Sequence, residues 1–323
     1  MKNLIVFSFS LVSLFSTHFA FAKADPSLQM PVVATDNKVV LPFTMHKGII
    51  FIKAAIGKRV GEFMLDTGAP GIILNSRHFK DAEKTTLKVS GINNLIENPK
   101  VKYVAKMTAK AISWLKFDAI TINLLHLEQI NRREILGLIG YQAFRKHELM
   151  IDYEKQEITL FKLDKKGNKL ISYDDVPLFT SKFKRLKHLA VVEVKIGKER
   201  LKLALDTGAQ SNVIHKKWQK KLNRHFLGFE KINVAGAGKK KALSLQGDLN
   251  KLWIGNVAFY NTKTIFTDLS KFRQSQGIRV DGLLGYHFLK KRKVSINFTK
   301  KTISFWRKKT TPKPILPTTK KIS

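Results

Sequence analysis

The chain contains no cysteine. That excludes disulfide staples, thiolate nucleophiles and cysteine-ligated zinc, and with them a lipid-modified N-terminal cysteine. Acidic residues are scarce too, 24 against 59 Lys and Arg, for a formal net charge of +35. Proline is sparse at 9 in 323 residues, and with an apolar fraction of 44% this argues for a folded chain of two ordinary domains. Beyond the first 22 residues no apolar run is long enough to span a bilayer.

Those first residues read as an export leader. Lys2 supplies a positive start, "LIVFSFSLVSLF" an apolar core, and Ala20-Phe21-Ala22 a small-x-small exit before Lys23. Ser8, Ser10 and Ser13, then Ser16 and Thr17, dilute the run below a membrane anchor. The mature protein is therefore expected to be exported, to the periplasm or the medium.

The excess of positive charge suggests anionic partners. Yet 47 of the 59 basic residues are Lys and only 12 are Arg, the residue suited to bidentate phosphate and base contacts. The lysines are spread through both halves. This is diffuse charge, pointing to non-specific attraction to anionic envelope surfaces and not to specific nucleic-acid recognition.

What the chain does have is a repeat. "FMLDTGAPGIILN" ends at Asn75 and "LALDTGAQSNVIH" begins at Leu203, placing Asp-Thr-Gly at 66–68 and 206–208. A given tripeptide of this kind arises by chance on the order of a few times per hundred chains of this length. The surroundings repeat as well. "IGKRVGEFMLDTGA" from Ile56 matches "IGKERLKLALDTGA" from Ile196, and both read as a β-hairpin whose second strand delivers the Asp. Upstream, "VVLPF" from Val39 and "DDVPLF" from Asp174 each read as a proline-marked edge segment. Downstream, "ILGLIGYQAF" from Ile135 matches "VDGLLGYHFL" from Val280, apolar strands with paired glycines before a short helix. "LMIDYEKQEITLF" and "VSINFTKKTISFW" then read as hairpins.

These matches divide the chain into a leader (1–22), an N-terminal segment (23–38), a first lobe (39–164), a polar linker (165–173), a second lobe (174–308) and a basic, proline-containing tail (309–323). One long insert, from Val89, separates the lobes in length and reads as a hairpin able to bend over a cleft.

Duplicated lobes packed about a pseudo-two-fold axis bring equivalent residues together. Asp66 and Asp206 would then face each other. Two carboxyls so close share one proton and titrate as a unit. Such a pair can hydrolyse an amide without a nucleophilic side chain, cofactor or metal: one Asp takes a proton from water while the other donates to the carbonyl oxygen. Gly68 and Gly208 allow close backbone approach. Thr67 and Thr207 are placed to bond across the axis. The glycine pairs Gly137 with Gly140, and Gly282 with Gly285, would let a second strand pass behind each Asp loop.

In these motifs the chain resembles the retropepsin-like and pepsin-like aspartic endopeptidases, most closely an exported bacterial type with two tandem lobes. The resemblance spans roughly Val39 to Lys308. It implies a mostly-β fold of two pseudo-symmetric acid-protease lobes with the active-site cleft between them, and an extended protein or peptide substrate. It implies Asp66 and Asp206 as the catalytic dyad, Thr67, Gly68, Thr207 and Gly208 as its scaffold, and Gly137, Gly140, Gly282 and Gly285 on the strands behind. It also implies a flap made by the longer first-lobe insert, with Tyr103 either a flap aromatic or a strand core residue.

Ala69 and Ala209 depart from the pepsin-like pattern, which has a hydroxyl residue there. The carboxyls should be less stabilised as anions, giving an optimum in mild acidity. Asp281 is a third carboxyl near the repeat and reads as structural; His215 is assigned nothing. The alternative function is a silent peptide- or envelope-polymer-binding protein on the same fold. A further possibility is lobe exchange between two copies, which the short linker disfavours relative to a monomer.

Overall fold

The computed structural model describes residues 13–15, 32–34, 36–85, 88–90, 95–96, 99–235, 241–270, 273, 277 and 279–307. Of the expected leader only Ser13–Phe15 is described, a short strand antiparallel to Lys88–Ser90. The leader's cleavage point and the tail 309–323 lie outside the described residues. No helix among the described residues is long and apolar enough to cross a membrane.

The fold is mostly β, built from two six-stranded barrels and a sheet that joins them. The first lobe begins with an edge strand β1 (Lys38–Pro42). Its barrel uses β2 (Ile49–Ile56), β3 (Arg59–Leu65), β4 (Ile72–Asn75), β5 (Lys100–Ala109), β6 (Ile112–Ile122) and β7 (Gly137–Ile139). Pairing runs β2 to β3, β7, β4, β6 and β5, and β5 closes the ring on β2. The apolar alternation read from the sequence faces inward here: Ile50, Ile52, Phe63 and Leu65 are all buried at 1% exposure or less. A helix α1 (Leu125–Asn131), for which the sequence had shown no signal, precedes β7, and α2 (Tyr141–Phe144) follows it. Trp114 on β6 is wholly buried, and its indole N–H donates to the Ala143 carbonyl (3.0 Å), tying the barrel to α2.

The hairpin β8 (His147–Asp152) and β9 (Glu157–Lys162) leaves the lobe. The second lobe repeats the plan with β10 (Phe179–Lys182), then a barrel of β11 (Leu189–Ile196), β12 (Glu199–Leu205), β13 (Asn212–His215), β15 (Lys241–Ile254), β16 (Val257–Thr267) and β17 (Gly282–Leu284). The strand β14 (Phe226–Ala235) forms a long hairpin with β15 outside the ring. The helix α3 (Tyr286–Leu289) and the hairpin β18 (Val294–Asn297) with β19 (Thr302–Phe305) complete it. The proline-marked segment from Asp174 is not itself a strand; the edge strand begins two residues past Pro177, at Phe179. Proline cannot donate to a ladder, and the strand begins only past it.

One sheet joins the lobes, in the order β10-β19-β18-β8-β9-β1. At its centre β8 and β18 pair antiparallel, with Met150 opposite Ser295. Those two residues stand at the same offset in sequence as Gly137 and Gly282, so the pseudo-two-fold axis passes between them. Next to the axis Glu148 is 8% exposed but paired: Asn297 Nδ2 donates to it at 3.2 Å and Lys169 Nζ lies at 3.1 Å. Lys169 also sits over the Phe161, Tyr173 and Trp306 rings, at 4.6, 4.9 and 5.0 Å from their centroids. The linker is thereby fastened to the joining sheet.

The insert from Val89 begins as a hairpin, with Val89 and Ser90 paired antiparallel to Ile96 and Leu95, and continues into barrel strand β5. Tyr103 lies on β5 opposite Asp118 and is 60% exposed, so it is not a core residue.

Burial gives the fold a pH dependence. Desolvation holds His147, His188 and His287 down to about 4, with nearby lysines adding to the effect. In the unfolded chain each returns to about 6.5. Below that value the unfolded state binds protons that the folded state refuses, so stability is full above pH 6.5 and falls toward pH 4, each histidine contributing on the order of 3 kcal/mol. Urea unfolding at pH 7, 5.5 and 4 should show a steady fall in midpoint; a flat profile across that range would refute the assignment.

Candidate active site

Each Asp-Thr-Gly loop leaves the end of a strand whose register is held from behind. Asp66 follows β3, and its N–H donates to the Ile139 carbonyl on β7 at 3.0 Å. Asp206 follows β12 and donates to the Leu284 carbonyl on β17 at 3.0 Å. The parallel pairs β3–β7 and β12–β17 thus aim both loops at the same place.

The glycines behind them are there for space. A Cβ on Gly137 would overlap the Ile73 carbonyl oxygen, and one on Gly282 the Val213 carbonyl oxygen. On Gly140 it would overlap the Ala69 carbonyl oxygen; on Gly285 it would sit 2.5 Å from that of Ala209. No side chain fits where these strands cross behind the loops.

The two loops meet across the lobes. Thr67 N–H donates to Thr207 Oγ1 at 2.9 Å, and Thr207 N–H donates to Thr67 Oγ1 at 3.1 Å. Each hydroxyl passes its own hydrogen onward: Thr207 Oγ1 to the Leu65 carbonyl at 3.0 Å, Thr67 Oγ1 to the Leu205 carbonyl at 3.3 Å. Both threonines are buried, so neither water nor any other group replaces these bonds if they are lost.

The lock places the carboxyls side by side. Asp66 and Asp206 are both 0% exposed. Gly208 packs so closely on Asp66 that an added Cβ would lie 2.7 Å from its Cγ. Asp66 Oδ1 accepts from the Gly68 and Ala69 amides at 2.9 and 3.1 Å. Asp206 Oδ1 accepts from the Gly208 amide at 2.9 Å. Burial pushes the Asp206 carboxyl above the usual carboxylate range, and hydrogen bonding from Asp66 and from the Gly208 and Ala209 amides offsets that rise only in part. The site therefore holds a proton where an isolated Asp would not.

All ten residues expected at the site gather at these two loops and the strands behind them. Asp281 stands apart. It accepts from Trp218 Nε1 at 3.0 Å and the Lys202 amide at 3.1 Å and pairs with Lys217 at 2.9 Å, which makes it a strut of the second lobe. His215 bonds Ser270 at 3.2 Å and accepts from the Lys217 amide at 3.1 Å. Among the described residues no group of three His, Asp or Glu could hold a metal ion.

His188 is a contact the sequence reading had not singled out. It is 7% exposed, and its Nε2 lies 2.8 Å from the Gly68 carbonyl oxygen, reaching from the second lobe into the first lobe's loop. Nearby, Arg185 donates to the Tyr141 hydroxyl at 2.6 Å. Aligning the halves gives the only sequence signal for His188: "KG" at 47–48 becomes "KH" at 187–188.

Residues 192–288 match a protein-family model described as aspartyl protease. The matched span holds Asp206, Thr207, Gly208, Gly282 and Gly285, all of the second lobe's share of the site, while Asp66 lies outside it. No curated protein matches the chain. The match supports an aspartyl-protease family for this two-barrel fold.

The threonine lock yields a direct test. Thr207→Val keeps shape but leaves the Thr67 amide and the Leu65 carbonyl without partners, each costing about 1–3 kcal/mol. Chemical denaturation should show a loss of that order, and Thr207→Ser should restore most of it. Equal stability of the valine variant and the unmodified protein would remove the lock from the argument.

Proposed function

We propose that the protein is an aspartic endopeptidase whose catalytic dyad is Asp66 and Asp206. The observation that carries this reading is the pair of buried carboxyls held together by reciprocal threonine bonds between two lobes of one chain. Like charges placed so close in a buried site are costly, and a fold with only a binding role has no use for them. The aspartyl-protease match over the second lobe supports the hydrolytic chemistry.

The pair works with one proton between its two carboxyls. Both are wholly buried, burial pushes Asp206 up, and amides of its own loop donate to each. A water between them gives a proton to the ionised carboxyl as it attacks the peptide carbonyl carbon. The protonated carboxyl donates to the carbonyl oxygen, and a tetrahedral diol forms without net charge. In the collapse the first carboxyl passes its proton to the leaving amine, the C–N bond breaks, and the second takes a proton from a diol hydroxyl as the new carboxyl group forms. Gly68, Gly208, Thr67 and Thr207 hold this geometry, and the paired glycines let the supporting strands come close enough to do so.

The substrate in this reading is an extended polypeptide, bound by backbone hydrogen bonds. With the apolar leader, it places the enzyme outside the cytoplasm. The diffuse positive charge would hold it near anionic envelope surfaces without selecting a sequence. One chain supplies both halves of the site, so a monomer suffices.

The test is digestion of a complex peptide mixture between pH 3 and 8 by the mature protein, with products read by mass spectrometry. Asp66→Asn and Asp206→Asn should each lower cleavage by roughly 10⁴-fold. Activity should peak in mild acid and decline as rising pH strips the shared proton from the pair, because burial keeps that proton in place above the ordinary carboxylate range. Neither loop carries a hydroxyl residue after its glycine, and histidine burial weakens the fold toward pH 4. An optimum near pH 2 contradicts the proposed environment, and cleavage that survives either single mutation contradicts a shared dyad. No cleavage by the unmodified protein at any pH would favour a silent binding role.

A further inference from the structure

The two halves of the site are not equivalent, and the difference lies outside the Asp-Thr-Gly motifs. His188 occupies the turn before β11, next to Lys187, which adopts positive φ (55°). The matching turn in the first lobe holds Lys47, also at positive φ (47°), followed by Gly48. That glycine has no side chain to offer, and its place is filled by Tyr286, whose Cδ1 would lie 2.5 Å from a Cβ there. The side chain that reaches the Asp66 loop from this turn is therefore not repeated in the matching turn of the first lobe.

What it does follows from the connectivity of one peptide unit. The Gly68 carbonyl that His188 meets belongs to the same peptide as the Ala69 N–H, and that N–H donates to Asp66 Oδ1 at 3.1 Å. A carbonyl only accepts, so the histidine nitrogen facing it carries the hydrogen. A donor on the carbonyl polarises the peptide and strengthens the N–H at its other end. The chain of bonds runs from His188 Nε2–H to the Gly68 carbonyl, and from the Ala69 N–H to the Asp66 carboxylate.

Resting on the endopeptidase reading above, we propose that His188 is a positioning residue that steadies the anionic form of the dyad through the Asp66 loop. It touches neither substrate nor the reacting atoms; it acts through the Gly68–Ala69 peptide. Burial and the adjacent Lys187 keep its ring neutral down to about pH 4, so the donor tautomer persists across the mild-acid range. The other titratable groups around the dyad are Tyr153, which burial holds protonated and which meets Tyr286 edge-on at 5.7 Å, and the two carboxyls themselves.

The experiment is a ¹³C NMR titration of aspartate-labelled protein, in the unmodified form and as His188→Leu, His188→Asn and His188→Gln. Leucine removes the donor, and asparagine keeps polarity but is too short to reach. Glutamine extends an amide N–H to about the distance of Nε2. Loss of the donor should raise the lower apparent pKa of the coupled pair by roughly half a unit to one unit, and glutamine should reverse much of the change. In peptide cleavage the same variants should lower kcat several-fold with KM little changed, and move the acid limb of the pH profile up by the same amount. A role confined to packing would lower thermal stability without moving either titration. If leucine prevents folding, the asparagine and glutamine pair still separates loss of the donor from loss of polarity. A carboxyl titration identical in folded asparagine and unmodified protein overturns the proposal, whether or not peptides are cut. Unmodified protein that shows a coupled titration yet cleaves nothing overturns the endopeptidase reading, and leaves His188 to be judged by the titration alone.

Discussion

Two carboxyl groups that would repel one another are held together by two threonines. The reciprocal bonds between Thr67 and Thr207 cross from one lobe to the other, and both partners are out of water. The hydroxyls that accept also donate, to Leu65 and Leu205, so no member of the lock is left half-satisfied. A buried network of this kind gains rigidity only when every member is paired. The strands carrying the loops are fixed in turn by β7 and β17, whose glycines let them pass close behind. The rest of the fold reads as support for this meeting point. Two closed barrels deliver the loops, and one sheet, paired about Met150 and Ser295, sets the lobes at the right distance.

Symmetry brings the carboxyls together, and a departure from symmetry touches one of their loops. Both carboxyls are wholly buried and take amides of their own loops, but it is the Gly68 carbonyl of the Asp66 loop that His188 meets. The substitution of His188 for Gly48 and the seating of Tyr286 over that glycine are small changes in a duplicated plan. They matter because a peptide unit transmits polarisation directly into the dyad. Elsewhere the halves diverge for stability: Asp281 braces Trp218 and Lys217 in the second lobe only, and Trp114 braces α2 in the first.

Much of this was legible in the residues. The repeat of Asp-Thr-Gly, the hairpins before and after it and the paired glycines are local patterns, with side-chain period two and glycine where strands crowd. They mark the barrels and the two loops correctly. Reading fell short where partners were distant in sequence. The insert from Val89 reads as a hairpin from its Val, Gly and small residues, and its first part pairs as one, yet its strand β5 closes a barrel against β2 and β6. The helix α1 is short, with Leu127, Glu128 and Asn131 buried, and the ion pair of Glu128 with Arg77 and its hydrogen bond with His78 fasten it, none of which a local period reveals.

The sequence by itself determined the duplication, the strand-rich class and which residues would meet if the halves packed symmetrically, because these follow from spacing along the chain. Only the tertiary structure decided that they do meet, that burial pushes the Asp206 carboxyl up, and that a histidine 120 residues away from Gly68 bonds to its carbonyl. Burial and hydrogen bonds across lobes set those outcomes, and both depend on what the folded chain brings within about 3 Å of each group.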